Sequence, residues 1–339
     1  MTDSLIVPLG LLHGEAAHHA CDAGLALPLA GGPSAFTVCG LSGPDGMQLV
    51  RVGDRPASWQ QTLARLTRPL PAAGLPPGAL VMGILNVTPD SFSDGGRHSA
   101  PAAAIDAALR MREQGADLID VGGESTRPGA APVTPAEEQD RVLPVVERLR
   151  AEGILVSVDT RNAVTMRAAL RAGATAINDV SALAHDPEAG RVVAEAGCPV
   201  MLMHMRGTPQ TMGALAQYDD VAVEVTRELA ASVARAVAAG IAPDRILVDP
   251  GLGFAKTTAH NLELLRRLPI LLNLGCRIVL GASRKRFVGE IGGEPDPSRR
   301  DPGSLAAILP ALAIPDIVLR VHDVPGTVQA VRLWRAMHG

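Results

Sequence analysis

Lysine and aromatic residues are what this 339-residue chain has least of. Only two of its 31 basic residues are lysines, Lys256 and Lys285, and its aromatics are four phenylalanines, two tryptophans and one tyrosine. The core must therefore be built from Ala, Val, Leu and Ile, and a hydrophobic content of 47% leaves room for a large one. Four cysteines, Cys21, Cys39, Cys198 and Cys276, are scattered with no CxxC, which argues against a zinc site or a disulfide framework. The formal charge is −4, with no basic stripe and no aromatic-basic interleaving, so no nucleic-acid partner is expected. No apolar run approaches the roughly 20 residues of a membrane span, and the start Met1-Thr-Asp-Ser lacks a basic signal region. No membrane association is expected, and a soluble cytoplasmic protein is the default.

What the chain does have is one construction repeated eight times. A short apolar run stops at a cluster of Asn, Asp, Gly, Thr, Arg or His, and a helical stretch follows. The expected strands are 81–86, 118–121, 154–159, 175–179, 200–204, 245–249, 277–280 and 316–320. Apolar runs alternating with helices read as buried parallel strands in β/α units. Eight such units in about 250 residues match a TIM barrel, an α/β fold whose sites form at the C-terminal strand ends. The polar residues fall at those ends, so an enzyme is the leading expectation.

Residues 1–68 do not share the repeat. They contain a possible hairpin, Phe36–Cys39 with Met47–Val52, and a possible helix from Ser58 to Leu66. A small α+β extension is expected there, with partial disorder as the other reading. The Pro- and Gly-rich segment 69–78 reads as a linker and 79–339 as the barrel. Among the barrel helices, one is expected from Pro101 to Gln114, and one from Pro135 capped by Thr134 and Glu137. Long segments after strands 1 and 2, residues 87–100 and 122–135, would contact or cover a substrate.

Strand ends 3, 4 and 6 bring Asp159, Asn178 and Asp249 towards one pocket. Buried carboxylates need donors, and an aminopyrimidinone edge offers several N–H groups in a row; taken singly, each residue would serve as a helix N-cap or strand-end cap, the role expected for Asp179. Arg320 and His322 at strand 8, with Asn86 at strand 1, stand where TIM barrels often hold phosphate. An arginine fork and a histidine read as oxyanion binding, with a structural salt bridge as the other role for Arg320. The Asn86 oxygen could ligate a hard cation such as Mg²⁺. Gly281-Ala-Ser-Arg-Lys285 opens a helix whose free N–H groups suit an anion. Both lysines follow strand ends, where a compact ammonium reaches a point acceptor that a guanidinium would not; for Lys256, chance placement is the equal alternative.

The motifs Asn86-Val-Thr-Pro-Asp-Ser-Phe-Ser-Asp-Gly-Gly96, Asp120-Val-Gly-Gly-Glu-Ser-Thr-Arg-Pro-Gly129, Ser157-Val-Asp-Thr160, Ile177-Asn-Asp179, Met203-His-Met205, Asp249-Pro-Gly-Leu-Gly-Phe254, Ser283-Arg-Lys285 and Arg320-Val-His-Asp323 closely resemble those of the bacterial dihydropteroate synthase family, in the family's order across residues 80–339. The resemblance implies a folate-biosynthesis transferase and sulfonamide target. It would condense 6-hydroxymethyl-7,8-dihydropterin pyrophosphate with p-aminobenzoate to give 7,8-dihydropteroate and pyrophosphate. By the same resemblance, Asp159, Asn178, Asp249 and Lys285 would hold the pterin edge, with Arg320 against its face. Asn86, Arg127 and His322 would hold pyrophosphate and Mg²⁺, with Asn86 as the metal ligand. Phe92, Thr126, Pro128, Phe254 and Ser283 would enclose p-aminobenzoate. Asp94 would lie near a pterin cation formed when the C–O bond breaks first, and catalysis would draw on Asn86, Asp94, Arg127, Lys285 and His322.

The chain departs from the family pattern in three ways. Seventy-eight residues precede strand 1, Leu252 and Ala255 replace a common aromatic and glycine, and Pro310 and Pro315 interrupt the segment before strand 8. The family's homodimer uses its last helices, so a homodimer is expected with its geometry in question. The rivals are a methyltetrahydrofolate-type pterin-binding methyltransferase domain, which would not need the Asn86–Gly96 segment, and a catalytically silent pterin-binding paralogue.

Overall fold

The structure, a computed structural model, describes residues 5–43, 46–87, 96–124, 133–208 and 210–339. It opens with an antiparallel sheet of β1 (Ile6–His13), β2 (Leu27–Pro28), β3 (Ser34–Gly43) and β4 (Gly46–Arg51). Helix α1 (Gly14–Asp22) follows β1, and α2 (Gln60–Thr67) follows β4. Strand β3 carries the others: it pairs with β1 from Ile6↔Leu41 to His13↔Ser34, and with β4 from Val38↔Arg51 to Gly43↔Gly46. The expected hairpin and helix are present; β1 and α1 were not foreseen.

Eight parallel strands then close a barrel: β5 (Leu80–Asn86), β6 (Leu118–Gly122), β7 (Leu155–Asp159), β8 (Ala176–Asp179), β9 (Val200–Met203), β10 (Ile246–Asp249), β11 (Arg277–Leu280) and β12 (Val318–Val321). The helices between them are α3 (Gly96–Glu113), α4 (Pro135–Ala151), α5 (Ala163–Ala172), α6 (Ala189–Ala196), α7 (Val221–Ala238), α8 (Thr258–Arg266), α9 (Arg286–Gly292) and α10 (Asp301–Ile308), and α11 (Val324–His338) ends the chain. Helix α3 starts five residues before the expected Pro101, which lies inside it. Thr134 and Glu137 form the expected reciprocal cap on α4. The prolines before β12 shorten α10, which passes into a 3₁₀ turn at Leu309–Ala313. Asp316 also falls outside its expected strand, because it turns the chain at φ +58° before β12 starts.

Side chains alternate along each strand, so each strand serves two cores. Val81, Ile119, Val156, Ile177, Val200, Ile246, Ile278 and Leu319 face the helices in the larger cluster. Leu80, Met82, Leu118, Ala176, Met201, Leu247, Val279 and Val318 form a separate cluster inside the barrel.

Ala73 and Leu75, from the segment that reads as a linker, belong to that inner cluster. The segment therefore plugs the N-terminal mouth of the barrel. Arg277, fully buried, holds it there by donating to the carbonyls of Ala72 (3.0 Å), Pro76 (2.8 Å), Gly78 (2.7 Å) and Asp316. The Asp316 carboxylate accepts in turn from the Gly78 N–H. The N-terminal sheet is braced beside this plug. Asn273 exchanges two bonds with the Ile6 backbone (3.2 and 2.8 Å), and Arg267 joins Ser42 to Asp220. We expect Arg277→Met to lower unfolding free energy by about 3 kcal/mol, since it strands several buried carbonyls at once. Urea denaturation measures this; an unchanged midpoint would mean that the plug does not depend on Arg277.

Candidate active site

The inward-facing positions form layers, and their chemistry changes with height. Above the apolar layer of Met82, Leu118, Ala176, Leu247 and Val318, each of these strands places its next inward side chain two residues on: Ile84, Asp120, Asn178, Asp249 and Arg320. The same step on β7 gives Ser157 and then Asp159. The floor of the open mouth is thus charged, in a barrel that is otherwise Ala-, Val- and Leu-rich.

Arg320 organises that floor. Its Nε donates to Asp120 Oδ2 at 2.6 Å and a terminal nitrogen donates to Asp159 Oδ2 at 2.9 Å. The amide nitrogen of Asn178 donates to the same Asp120 oxygen at 3.0 Å. Burial pushes the Asp159 carboxyl up to about 7 against the pull of Arg320, with Asp120 adding to the rise. Burial alone would lower the arginine, but the two carboxylates more than reverse this and hold it above its usual range.

Across the mouth, burial raises the pKa of Asp249, whose Oδ1 accepts from the Gly251 N–H at 2.7 Å. The loop after β10 curls back through left-handed Gly251, Gly253 and Ala255. A Cβ on Gly251 would meet the His204 carbonyl at 2.0 Å, so glycine is required there. The loop sets Phe254 beneath Lys285, whose ammonium lies 4.4 Å from the ring centroid. Burial lowers Lys285 to about 8, opposed by Asp249. Lys256 is buried, brought down to about 7 by desolvation, and bonds His204 Nδ1 and the Phe254 carbonyl, both at 2.9 Å. His204 passes to Glu228 at 2.9 Å, and Glu228 pairs with Arg206. Lys256 thus supports the loop from behind.

Ser283 Oγ and His322 Nδ1 are 2.9 Å apart, and the same hydroxyl accepts from the His322 backbone N–H at 3.1 Å. Arg284, at φ +57°, turns away to Asp301 at 2.7 Å, which leaves Lys285 directed to the mouth. Asn86 ends β5 half-buried beside Gly122; a Cβ on Gly122 would lie 3.8 Å from Asn86 Oδ1 and 3.5 Å from the Asp159 Cβ. That glycine keeps the space between the two open.

The strand-end residues Asp159, Asn178, Asp249, Lys285 and Arg320 thus meet around one mouth, with Phe254 against Lys285. Arg320 is spent on carboxylates, which does not fit the oxyanion role that strand position suggests. Asp179 is a turn cap, accepting from Ser181 and Leu183 backbone N–H groups. Phe92, Asp94, Thr126, Arg127 and Pro128 lie outside the described residues. Asp120 was missed, because it sits in mid-strand; counting alternate residues from Leu118 would have turned it inward. The His204–Lys256 pair joins two motifs that sequence spacing does not connect.

Residues 82–322 match the family described as pterin binding enzyme. A dihydropteroate synthase of Synechocystis sp. is 45% identical over 260 residues, covering 75% of this chain and 90% of that one. The dihydropteroate synthase of Xanthomonas albilineans, solved with 4-aminobenzoic acid, superposes with a TM-score of 0.72 at 50% identity, covering 76% of this chain and 93% of its own. It has also been solved with 7,8-dihydropteroate, with a TM-score of 0.70 at 48% identity and the same coverages. The Yersinia pestis dihydropteroate synthase, solved with a sulfonamide drug complex, gives 0.72 at 44% identity, with 77% and 94% covered.

The ionic floor makes a stability prediction whose sign is fixed. With its carboxyl near 7, Asp159 keeps in the folded state a proton that the unfolded chain has lost above an ordinary Asp value of about 4. Its contribution to stability is therefore full at low pH and lost as pH rises to 7. Arg320→Met removes the cation that opposes this trend. We expect a loss of about 3 kcal/mol at pH 8 and a clearly smaller one at pH 5. Urea denaturation at the two pH values measures it, and equal losses would contradict the ionic floor.

Proposed function

The chain belongs to the dihydropteroate synthases of the pterin-binding enzyme family, and from that membership we propose how its barrel mouth carries out their transferase reaction. In this reading, 6-hydroxymethyl-7,8-dihydropterin pyrophosphate and p-aminobenzoate condense to 7,8-dihydropteroate and pyrophosphate. The observation that supports it most is the floor itself, where acceptors on buried Asn178 and Asp249 and partly buried Asp159 stand opposite the ammonium of Lys285. A flat heterocycle with an N–H edge and a ring acceptor satisfies both sides, and Arg320, held flat between Asp120 and Asp159, offers its face to the ring.

The pyrophosphate end lies towards Asn86 and His322, whose ring Ser283 steadies through Nδ1. Among the described residues no three His, Cys, Asp or Glu side chains form a metal cage. One amide oxygen beside the space that Gly122 keeps open instead fits Mg²⁺, which retains most of its water. Bound there through Asn86, Mg²⁺ would neutralise charge on the departing pyrophosphate. The p-aminobenzoate ring would lie along Phe254, its carboxylate at the backbone after Ser283. Phe92, Thr126, Arg127 and Pro128 would complete the enclosure, with Asp94 near the pterin carbon.

The reaction breaks the carbon–oxygen bond to pyrophosphate and forms a carbon–nitrogen bond to the aromatic amine, which gives up one proton. The protein's part is to hold the reactants in line and stabilise charge. No enzyme nucleophile is needed, and burial keeps Cys198 and Cys276 as thiols, raised to about 11 and 12. Exposed Leu333 and Met337, one turn apart on α11, support a homodimer through the last helices. Four free cysteines suit a cytoplasmic setting.

The purified protein, given both substrates and Mg²⁺, should release pyrophosphate and form dihydropteroate, and EDTA should stop it. Pterin binding without product would instead favour a silent paralogue. His322→Ala should weaken turnover and pyrophosphate affinity at least about tenfold while affinity for the free hydroxymethylpterin stays within about twofold. Equal loss of both would defeat the separation of the two ends.

A further inference from the structure

We propose that Asp120 is the positioning residue that decides which faces of Asn178 and Arg320 meet the pterin, an inference that rests on the function proposed above. Asp120 is fully buried in the inward layer, one step below Asp159. A carboxylate kept only to end a turn takes backbone donors, as Asp179 does from Ser181 and Leu183. Asp120 takes none among the described residues; one oxygen, Oδ2, accepts from both Arg320 Nε and the Asn178 amide.

This arrangement has a consequence for Asn178. A side-chain amide has a donor end and an acceptor end, exchanged by a half-turn about its terminal bond. A carboxylate offers only lone pairs, so the nitrogen must face Asp120. The opposite flip would set two oxygens 3.0 Å apart in a dry interior. Asn178 therefore presents its oxygen on the other side, as an acceptor for an N–H edge. For Arg320, Asp120 anchors the Nε end and Asp159 a terminal nitrogen, so the guanidinium plane is fixed from two sides. Its flat face, rather than its fork, is what remains for a ring above. Among the described residues Asp120 Oδ1 has no hydrogen-bond partner, so there Asp120 bonds only these two side chains.

The test is an exchange of groups. In Asp120→Asn the neighbouring amide can be met by an oxygen or a nitrogen, so Asn178 is free to flip and Arg320 loses an anchor. The KM for the pterin pyrophosphate and the Kd for 6-hydroxymethylpterin should each rise at least about tenfold, with the KM for p-aminobenzoate within about twofold. Combining Asp120→Asn with Asn178→Asp transposes amide and carboxylate, keeping volume, charge and the bond between positions 120 and 178 at the cost of the Arg320 Nε contact, and again turns an oxygen to the ligand. This double variant should bind 6-hydroxymethylpterin at least about fivefold tighter than Asp120→Asn alone. Additive losses, or unchanged pterin binding in Asp120→Asn, would overturn the proposal. Should Asp120→Asn not fold, the transposed variant decides alone: retained pterin binding supports the proposal, and a folded protein that does not bind refutes it. Wild-type turnover is the control. Its absence would defeat the functional reading, whereas active wild type with an indifferent variant would defeat only this inference.

Discussion

A guanidinium drawn largely out of water between two carboxylates is costly unless each charge finds a partner at close range. Arg320 meets this condition at 2.6 and 2.9 Å, against Asp120 and Asp159. Removing one member leaves the others dehydrated and unpaired, which is far worse than never having had them. The polar floor therefore stands or falls as a unit. Asn178 is drawn into it by Asp120, and Asp249 and Lys285 balance one another across the same mouth. Under the proposed function, substrate recognition and local stability would draw on the same few atoms.

The barrel treats its two ends differently. At the N-terminal end, Arg277 is fully buried, but its partners are backbone carbonyls of the 72–78 segment and Asp316. It closes a mouth, where Arg320 furnishes one. Between the two lies the inner apolar layer of Met82, Leu118, Met201 and Val318, which keeps the two arginines in separate environments. The N-terminal sheet, outside the span shared with the family, packs its Ile6, Leu29 and Phe36 into the outer core beside the same closed end.

The strands were legible because buried parallel strands are apolar throughout and stop at polar clusters, so all eight fell within two residues of their expected bounds. Candidate site residues at strand ends, such as Asp159 and Lys285, stand out by that interruption. Asp120 did not, because one carboxylate inside a strand looks like part of the run until its facing is counted. The plug was hidden for a different reason. Proline and glycine mark a segment without regular structure, but they say nothing of whether it is buried, and here Ala73 and Leu75 enter the barrel. Nor could β1 be read, since Gly10 and Pro8 interrupt its alternation and its partner β3 lies over twenty residues away. Phe92, Asp94, Thr126, Arg127 and Pro128 lie outside the described residues and rest on the resemblance alone.

The scarcity of lysine makes this surface nearly inert to amine-directed chemistry. Both ε-amines are withdrawn, Lys256 behind the loop after β10 and Lys285 in the mouth, where low polarity leaves an appreciable share of the latter uncharged near neutrality. A reagent that acylates or reductively alkylates side-chain amines would thus find its nucleophiles only in and behind the barrel mouth. Occupancy of that mouth could be followed by protection of a single amine, without labelling the rest of the molecule.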